Sequence, residues 1–438
     1  MISGDTIVAA ATPLGFSGVA VIRVSGPKSF SLAEKVTRKK KTKNRRASLA
    51  TIYNKENKKI DSAIVTLFAS PASYTGEDTL EISSHGNPAL VDAIISTLCF
   101  FGARLAEPGE FTYRAFLNGK IDLIQAEAVA SLIKSKSIES VKEQQKIIDG
   151  QLSTDINKMR LTLINLVSSF EHQLDISEED LNPSFETIAK RALSKLYKDI
   201  KKVSNTFVMG KMLNLGVRIV ITGPPNVGKS SLLNILCGQK KAIVSAKPGT
   251  TRDVISAELI LDGVPLMFFD TAGIRETVEP VEKEGVSRAL EQKEKADLII
   301  SVSDKPEFLL DGQAQQLSLF VLNKADLHRN PPAKPIIHIS CKNKTGISAL
   351  LLEIKNKLRI KPLSSDAALL STPRQQRAVK LCGEHVARSL ALFKPSGIEL
   401  EILSLELRGG IEALDVLLGK TTPEDIINNI FKSLCVGK

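Results

Sequence analysis

The octapeptide Gly223-Pro224-Pro225-Asn226-Val227-Gly228-Lys229-Ser230 constrains this chain more than any other feature. It fits G-x-x-x-x-G-K-[ST], follows the β-prone run Val217-Arg218-Ile219-Val220-Ile221 and precedes the helix-prone Ser231-Leu232-Leu233-Asn234-Ile235-Leu236. Strand, glycine loop and helix in that order imply a parallel α/β sheet around them. The glycines let the backbone close on a phosphate chain with its N–H groups pointing inward, and the helix that follows adds its positive end. In that frame Asn226, Val227, Gly228 and Ser231 line the loop, Lys229 reaches the β and γ oxygens, and the Ser230 hydroxyl suits Mg2+.

Three further elements follow in the order a nucleotide site needs. Leu266-Met267-Phe268-Phe269 reads as a buried strand ending in Asp270-Thr271-Ala272-Gly273, which places a carboxylate beside the Mg2+ shell and Gly273 near a γ-phosphate. Leu319-Phe320-Val321-Leu322 leads into Asn323-Lys324-Ala325-Asp326. The Asp326 carboxylate can accept from the ring N–H and the exocyclic amine of guanine, a donor pair that adenine lacks, so this element selects GTP over ATP. Ile336-Ile337-His338-Ile339 ends in Ser340-Cys341-Lys342, which supports the base from its other side. The position after Gly273 is Ile274, which has no hydrogen-bonding group, so the attacking water needs another orienting device. Ser245 to Asp253 lies where a switch loop belongs; Thr251 is its natural Mg2+ ligand, and Arg252 is either an arginine finger or the ion-pair partner of Asp253.

At 438 residues the chain exceeds one hydrophobic core. We expect four segments in three domains. Residues 1–118 form an α+β domain, from short β-prone runs such as Val19–Val24 and Ala63–Phe68 and a helix over Ala89–Leu98. Residues 119–212 are helical, with Leu163, Val167, Phe170, Leu174 and then Leu193, Leu196, Ile200, Val203, Phe207 at helix spacing. Residues 213–365 alternate strands and helices as a doubly wound P-loop GTPase domain. Residues 366–438 are helical again (Val379, Cys382, Val386, Phe393; Leu400, Leu403, Leu407) and too short to stand alone, so they are expected to complete one discontinuous all-α domain. No apolar run approaches the ~20 residues of a membrane span, and the start lacks a targeting pattern, so we expect a cytoplasmic protein. The 5 cysteines include no Cys-x-x-Cys pair, against a disulfide framework or a zinc site. The formal net charge of +11 favours a polyanionic partner, RNA before membrane. Much of it lies in Arg38 to Arg46, read as a solvated loop tip or a phosphate grip; that stretch contains no aromatic residue for base stacking.

The insert resembles the MnmE (TrmE) family of tRNA-modifying GTPases through the P-loop, Gly249-Thr250-Thr251-Arg252-Asp253 and Asp270 to Glu276. The likeness extends to Gly18–Gly26, Ser73–Asp78, Pro108–Lys120 and the terminal Cys435-Val436-Gly437-Lys438. The resemblance implies a K+-activated GTPase whose G domains meet across a homodimer. Asn226 and the carbonyls of Ser245, Lys247 and Thr250 would ligate K+, the Gly249 N–H would face the γ-phosphate, and Glu282 would organise the attacking water. It also implies a one-carbon tetrahydrofolate (5,10-methylenetetrahydrofolate, with 5-formyltetrahydrofolate as an analogue) on Arg23, Glu81, Lys120 and Lys438. The implied partner is the FAD-containing MnmG (GidA), in a heterotetramer or larger assembly that modifies C5 of the wobble uridine of tRNA. Cys435 is either a reactive thiol or a packing residue. A competing reading is an RNA-binding ribosome-assembly GTPase without substrate chemistry; a third is a GTP-gated scaffold.

Overall fold

The computed structural model describes residues 4–39, 43–174, 185–238, 257–270, 294–306, 317–327, 336–361, 367–394, 399–432, 434 and 436–437. Its described residues form two compact units: 1–133, 147–197 and 378–438 in one, 134–146 and 198–377 in the other.

In the first unit a six-stranded sheet has the order β3-β4-β5-β2-β1-β6. Its strands are β1 (Ile7–Ala10), β2 (Ser17–Ser25), β3 (Ser48–Tyr53), β4 (Lys59–Phe68), β5 (Thr79–Gly86) and β6 (Arg104–Leu105). Neighbours run antiparallel except β1 and β6. Alternation along β2 and β5 sends Ile22, Val24, Leu80 and Ile82 into one core with Leu32, Val36, Ile94 and Leu98 of helices α1 (Ser29–Thr37) and α2 (Pro88–Phe100). The two-residue period therefore stands Arg23 and Glu81 on the opposite face. Helix α3 (Glu110–Leu117) follows β6.

Helices α4 (Leu123–Lys134), α5 (Ile138–Ile148), α6 (Gln151–Leu174), α7 (Phe185–Ser204) and α8 (Phe207–Leu215) follow. The apolar period expected to run unbroken to Phe207 is interrupted: α7 stops at Ser204, and the Thr206 hydroxyl donates to the Val203 carbonyl at 2.7 Å in the turn between the helices. Phe207 stays buried, so its register survives the break.

The second unit is built on the order β12-β11-β10-β7-β9-β8. The strands are β7 (Val217–Thr222), β8 (Ala257–Leu261), β9 (Val264–Asp270), β10 (Leu298–Ser303), β11 (Ser318–Leu322) and β12 (Ile336–His338), with helices α9 (Lys229–Cys237) and α10 (Ile347–Leu358). Five strands are parallel, and β8 departs from the parallel reading as an antiparallel edge. The reason is local: Leu261 pairs with Val264 across Asp262 (φ 47) and Gly263 (φ 86), two consecutive left-handed residues of the kind that make a tight hairpin. Strand order reverses on either side of β7, which puts the crevice for a ligand at the carboxyl ends of β7 and β10.

Helices α11 (Pro373–Ala391), α12 (Leu400–Leu418) and α13 (Glu424–Lys432) complete the described chain. Within the first unit α12 packs along α6, with an Arg160–Asp415 ion pair and Gly410 beside Leu163 and Cys382. The last helix sets Phe431 against Tyr113 and Phe116 of α3, which lies in the segment read as the α+β domain. Among the described residues no helix is long and apolar enough to cross a membrane.

Candidate functional site

The loop after β7 is shaped by what glycine permits. Gly223 has φ 146, and a Cβ there would lie 1.9 Å from the Val302 carbonyl of β10, so only glycine lets the loop cross that strand end. Val227 turns inward and is buried. Lys229 is 5% exposed, and its ammonium donates to the carbonyls of Gly223 (3.0 Å) and Pro224 (2.8 Å), which holds the charge inside the curve of the loop. The Ser230 hydroxyl, in the first turn of α9, donates to Asp270 Oδ2 at 3.4 Å, and Asp270 ends β9. A hydroxyl and a carboxylate oxygen converging beside the loop make a hard-oxygen pair of the kind Mg2+ takes, so these residues fit that ion. Ser231 follows, exposed, in the same turn. Asn226 sits at φ 62 on the exposed side of the loop.

The base-reading loops are tied to this one by Asn323. Its side chain is buried, donating from Nδ2 to the Val227 carbonyl at 2.8 Å and accepting at Oδ1 from the Cys341 N–H at 3.1 Å. A Cβ on Gly228, itself at φ 96, would meet Asn323 Nδ2 at 2.2 Å, so the second P-loop glycine is required by the loop that reads the base. Asp326 lies exposed on a 3-10 turn (Ala325–Leu327) and accepts from the Ser340 hydroxyl at 2.5 Å; that hydroxyl also receives the Asn343 N–H at 3.2 Å. Lys324, at φ 58, is pinned by Asp304 at 2.6 Å, and its ammonium holds the Asp304 carboxyl below its ordinary value against slight burial. Burial pushes the Cys341 thiol up, a hydrogen bond with Asn323 opposing it, so that sulfur stays protonated and its backbone does the work at this position. Lys342 follows it, exposed. Asp304 escapes motif reading; its only signal is an acid directly after a buried strand.

On the first unit, Arg23 and Glu81 face each other across β2 and β5, with Nε to Oε1 at 2.9 Å. The guanidinium lies 5.5 Å from the Tyr74 ring centroid and 5.9 Å from that of Phe111. Tyr74 is fixed by its hydroxyl to Thr112 Oγ1 at 2.8 Å, and Lys120 donates to the Pro71 carbonyl at 3.1 Å in the same 70–78 loop. A half-buried cation and carboxylate beside aromatic faces suit a flat heterocycle that carries donors and a separate anionic tail. Beneath that loop is a network that sequence reasoning missed. Arg114 reaches Glu77 at 3.2 Å, Glu110 and Asp5; Arg104 pairs with Asp5 at 2.6 Å and with Glu110 at 2.5 Å; the Ser25 hydroxyl donates to Glu77 at 2.7 Å. The chain's end comes to this unit too: a Cβ on Gly437 would lie 2.2 Å from the Ala10 carbonyl. Ser245, Lys247, Gly249, Thr250, Thr251, Arg252, Thr271, Ala272, Gly273, Glu282, Cys435 and Lys438 lie outside the described residues.

A phosphate loop at the switch point of a mainly parallel sheet, joined by one buried amide to loops that carry an acid for the base, defines the class: a P-loop nucleotide-binding protein. Two family models match the chain, that of the GTP-binding protein TrmE N-terminus over residues 6–120 and that of the MnmE helical domain over 123–435. Full-length relatives include a protein named tRNA modification GTPase MnmE from Francisella tularensis subsp. novicida, 37% identical over 100% of both chains, and its namesake from Dichelobacter nodosus, 36% identical over the same shares. Among solved structures, the G domain of the T. maritima FeoB iron transporter is 25% identical over 33% of this chain and 96% of that one, with a TM-score of 0.24. The chain belongs to the MnmE (TrmE) family of tRNA modification GTPases.

Proposed function

We propose that this chain is a K+-stimulated GTP hydrolase that acts, as a homodimer in the cytoplasm with an FAD-containing MnmG-type partner, on C5 of the wobble uridine of tRNA. The supporting observation is the hydrogen-bonded joining of the phosphate loop to the base-reading loops through Asn323, on a chain 37% identical from end to end to a tRNA modification GTPase. The domain limits we adopt are those of the sequence reading: 1–118, 119–212, 213–365 and 366–438.

In this reading Asp326 takes the two guanine donors while the Ser340 hydroxyl holds its carboxylate in place. Lys229 and the N–H groups of residues 226–231 neutralise charge on the β and γ phosphates as water attacks the γ phosphorus. Ser230, Asp270 and Thr251 hold Mg2+, and Glu282 orients the water in place of the side chain Ile274 lacks. K+, when bound by Asn226 and the Ser245, Lys247 and Thr250 carbonyls, supplies the positive charge of an arginine finger; the exposed, left-handed Asn226 fits a ligand on the open side of the loop. Arg23, Glu81, Lys120 and Lys438 bind a tetrahydrofolate, which supplies the one-carbon unit. Steady-state GTP turnover in K+ against Na+ tests the cation: we expect a gain of roughly tenfold or more in K+, and equal rates refute it. Titration with 5-formyltetrahydrofolate tests the other site; undiminished binding after Arg23→Ala removes the assignment.

A further inference from the structure

We propose that the helix layer of the N-terminal sheet carries an RNA-binding surface, built from Lys35, Arg38 and Lys55 around the rings of Tyr53, Phe100 and Phe101, which holds an unpaired stretch of RNA by its phosphates and stacks a base. The basic run that begins at Arg38 has no aromatic residue of its own, but the fold brings Tyr53 to Arg38 and sets two more rings, Phe100 and Phe101, beside the neighbouring cations Lys55 and Lys35. Arg38, the left-handed residue that ends α1, stands 4.4 Å over the ring of Tyr53 on β3. One turn back, Lys35 lies 5.4 Å over Phe101 at the end of α2, and Lys55, just beyond β3, lies 5.5 Å over Phe100. Phe100 and Phe101 meet edge to face at 5.4 Å, so the three cation–ring pairs lie on one stretch of surface.

Phe100 is 64% exposed, which core packing does not explain, and all three cations are exposed. None of the three is within ion-pair distance of a carboxylate among the described residues; the nearby Glu56 is turned onto Asn54 at 2.9 Å. One exposed ring, Phe100, and two half-buried ones, Tyr53 and Phe101, interleaved with cations on strand and helix ends are an arrangement that grips single-stranded nucleic acid, where charge tracks the backbone and any base presents a π-face. An acidic membrane surface would attract the same cations through its anionic lipids, and the vesicle arm of the test separates it from RNA. The surface is separate from the Arg23–Glu81 pair, which stands on the other side of the sheet. The choice of RNA rests on the reading of the chain as a tRNA-modifying enzyme.

The test uses the full chain, a fluorescent unstructured RNA 12-mer and anisotropy over a salt series. The triple variant Lys35→Ala, Arg38→Ala, Lys55→Ala should lose about tenfold or more in affinity at low salt, with the slope of log K against log salt shallower by about 2, as expected for three lost phosphate contacts. Phe100→Ala should lose about fivefold or more with the slope unchanged, because stacking is uncharged. Affinity and slope unaltered in the triple variant overturn the proposal. So does an equal, equally substitution-sensitive affinity for polyglutamate, which marks an acidic-protein surface, or for phosphatidylcholine–phosphatidylserine vesicles. GTP turnover should be unchanged in every variant. A chain without GTP turnover sinks the proposed function, while the RNA affinities still decide the surface.

Discussion

Both ends of the Asn323 amide are taken by backbone, Val227 on one side and Cys341 on the other, in a setting with almost no solvent. Asn323→Ala therefore leaves a carbonyl and an N–H unpaired, each costing about 1–3 kcal/mol when buried. We expect a clear loss of stability in urea titration together with weaker GTP binding; weaker binding at full stability would mean that Asn323 touches only the ligand. Asp326 is the opposite case. Asp326→Asn keeps an oxygen that can accept from the Ser340 hydroxyl, so folding should hold, but it places an amide donor against guanine's donors. GTP affinity should fall by roughly a hundredfold or more, read by calorimetric titration, and an unchanged affinity would remove Asp326 from base recognition. The motif residues were readable because each has a chemistry of its own. Asp304 was not, because its only role is to hold Lys324, and that contact exists only after β10 and β11 are side by side.

At the scale of elements, α3 is locked to β6 and the start of β1 by acids and arginines 99 or more residues apart in some pairs. Burial alone would raise the Glu110 carboxyl, but hydrogen bonds from Arg104, the Glu107 N–H and Arg114 outweigh it and hold the group below its ordinary value. A carboxyl depressed by folding stabilises above its unfolded value of about 4.3 and loses that contribution as pH falls through its folded value. The first unit should thus lose stability below about pH 4, and Glu110→Gln should flatten that acid limb in pH-dependent thermal melts while lowering stability at neutral pH. An unaltered acid limb would show that the ion network does not couple to folding. Helix α12 teaches a related lesson. Gly409 and Gly410 at its middle weaken a helix by about 1 kcal/mol each on propensity. Yet a Cβ on Gly409 would lie 2.4 Å from His385 Cε1, and His385 is itself bound to Glu406 at 2.7 Å. Close approach of α11 and α12 accounts for the glycine, and no spacing in the sequence announces it.

The molecule as a whole divides into a unit that contains the nucleotide loops and a unit that contains both chain ends. A ligand that binds only one folded unit raises the stability of that unit by mass action. Scanning calorimetry with Mg2+ and GDP should therefore shift one transition upward, by about 2.7 kcal/mol at a hundredfold excess over Kd, and leave the other in place. A single transition that moves as a whole would show that the two units unfold as one.

From its residues alone the chain declared a phosphate-binding strand–loop–helix, a guanine-selecting acid, a mixed α/β and helical build, and a likeness that spans nearly its full length. Those features rest on neighbouring residues, whose spacing settles backbone geometry and chemistry before any long-range contact forms. Tertiary structure alone decided that Gly228 answers to Asn323, that β8 turns back as an antiparallel edge, that Arg23 and Glu81 face each other beside aromatic rings, and that the first arginine of a basic run without aromatics meets the ring of Tyr53. Each of these joins groups that only a packed sheet or helix pair brings within a few ångströms, and a linear pattern carries no trace of that approach.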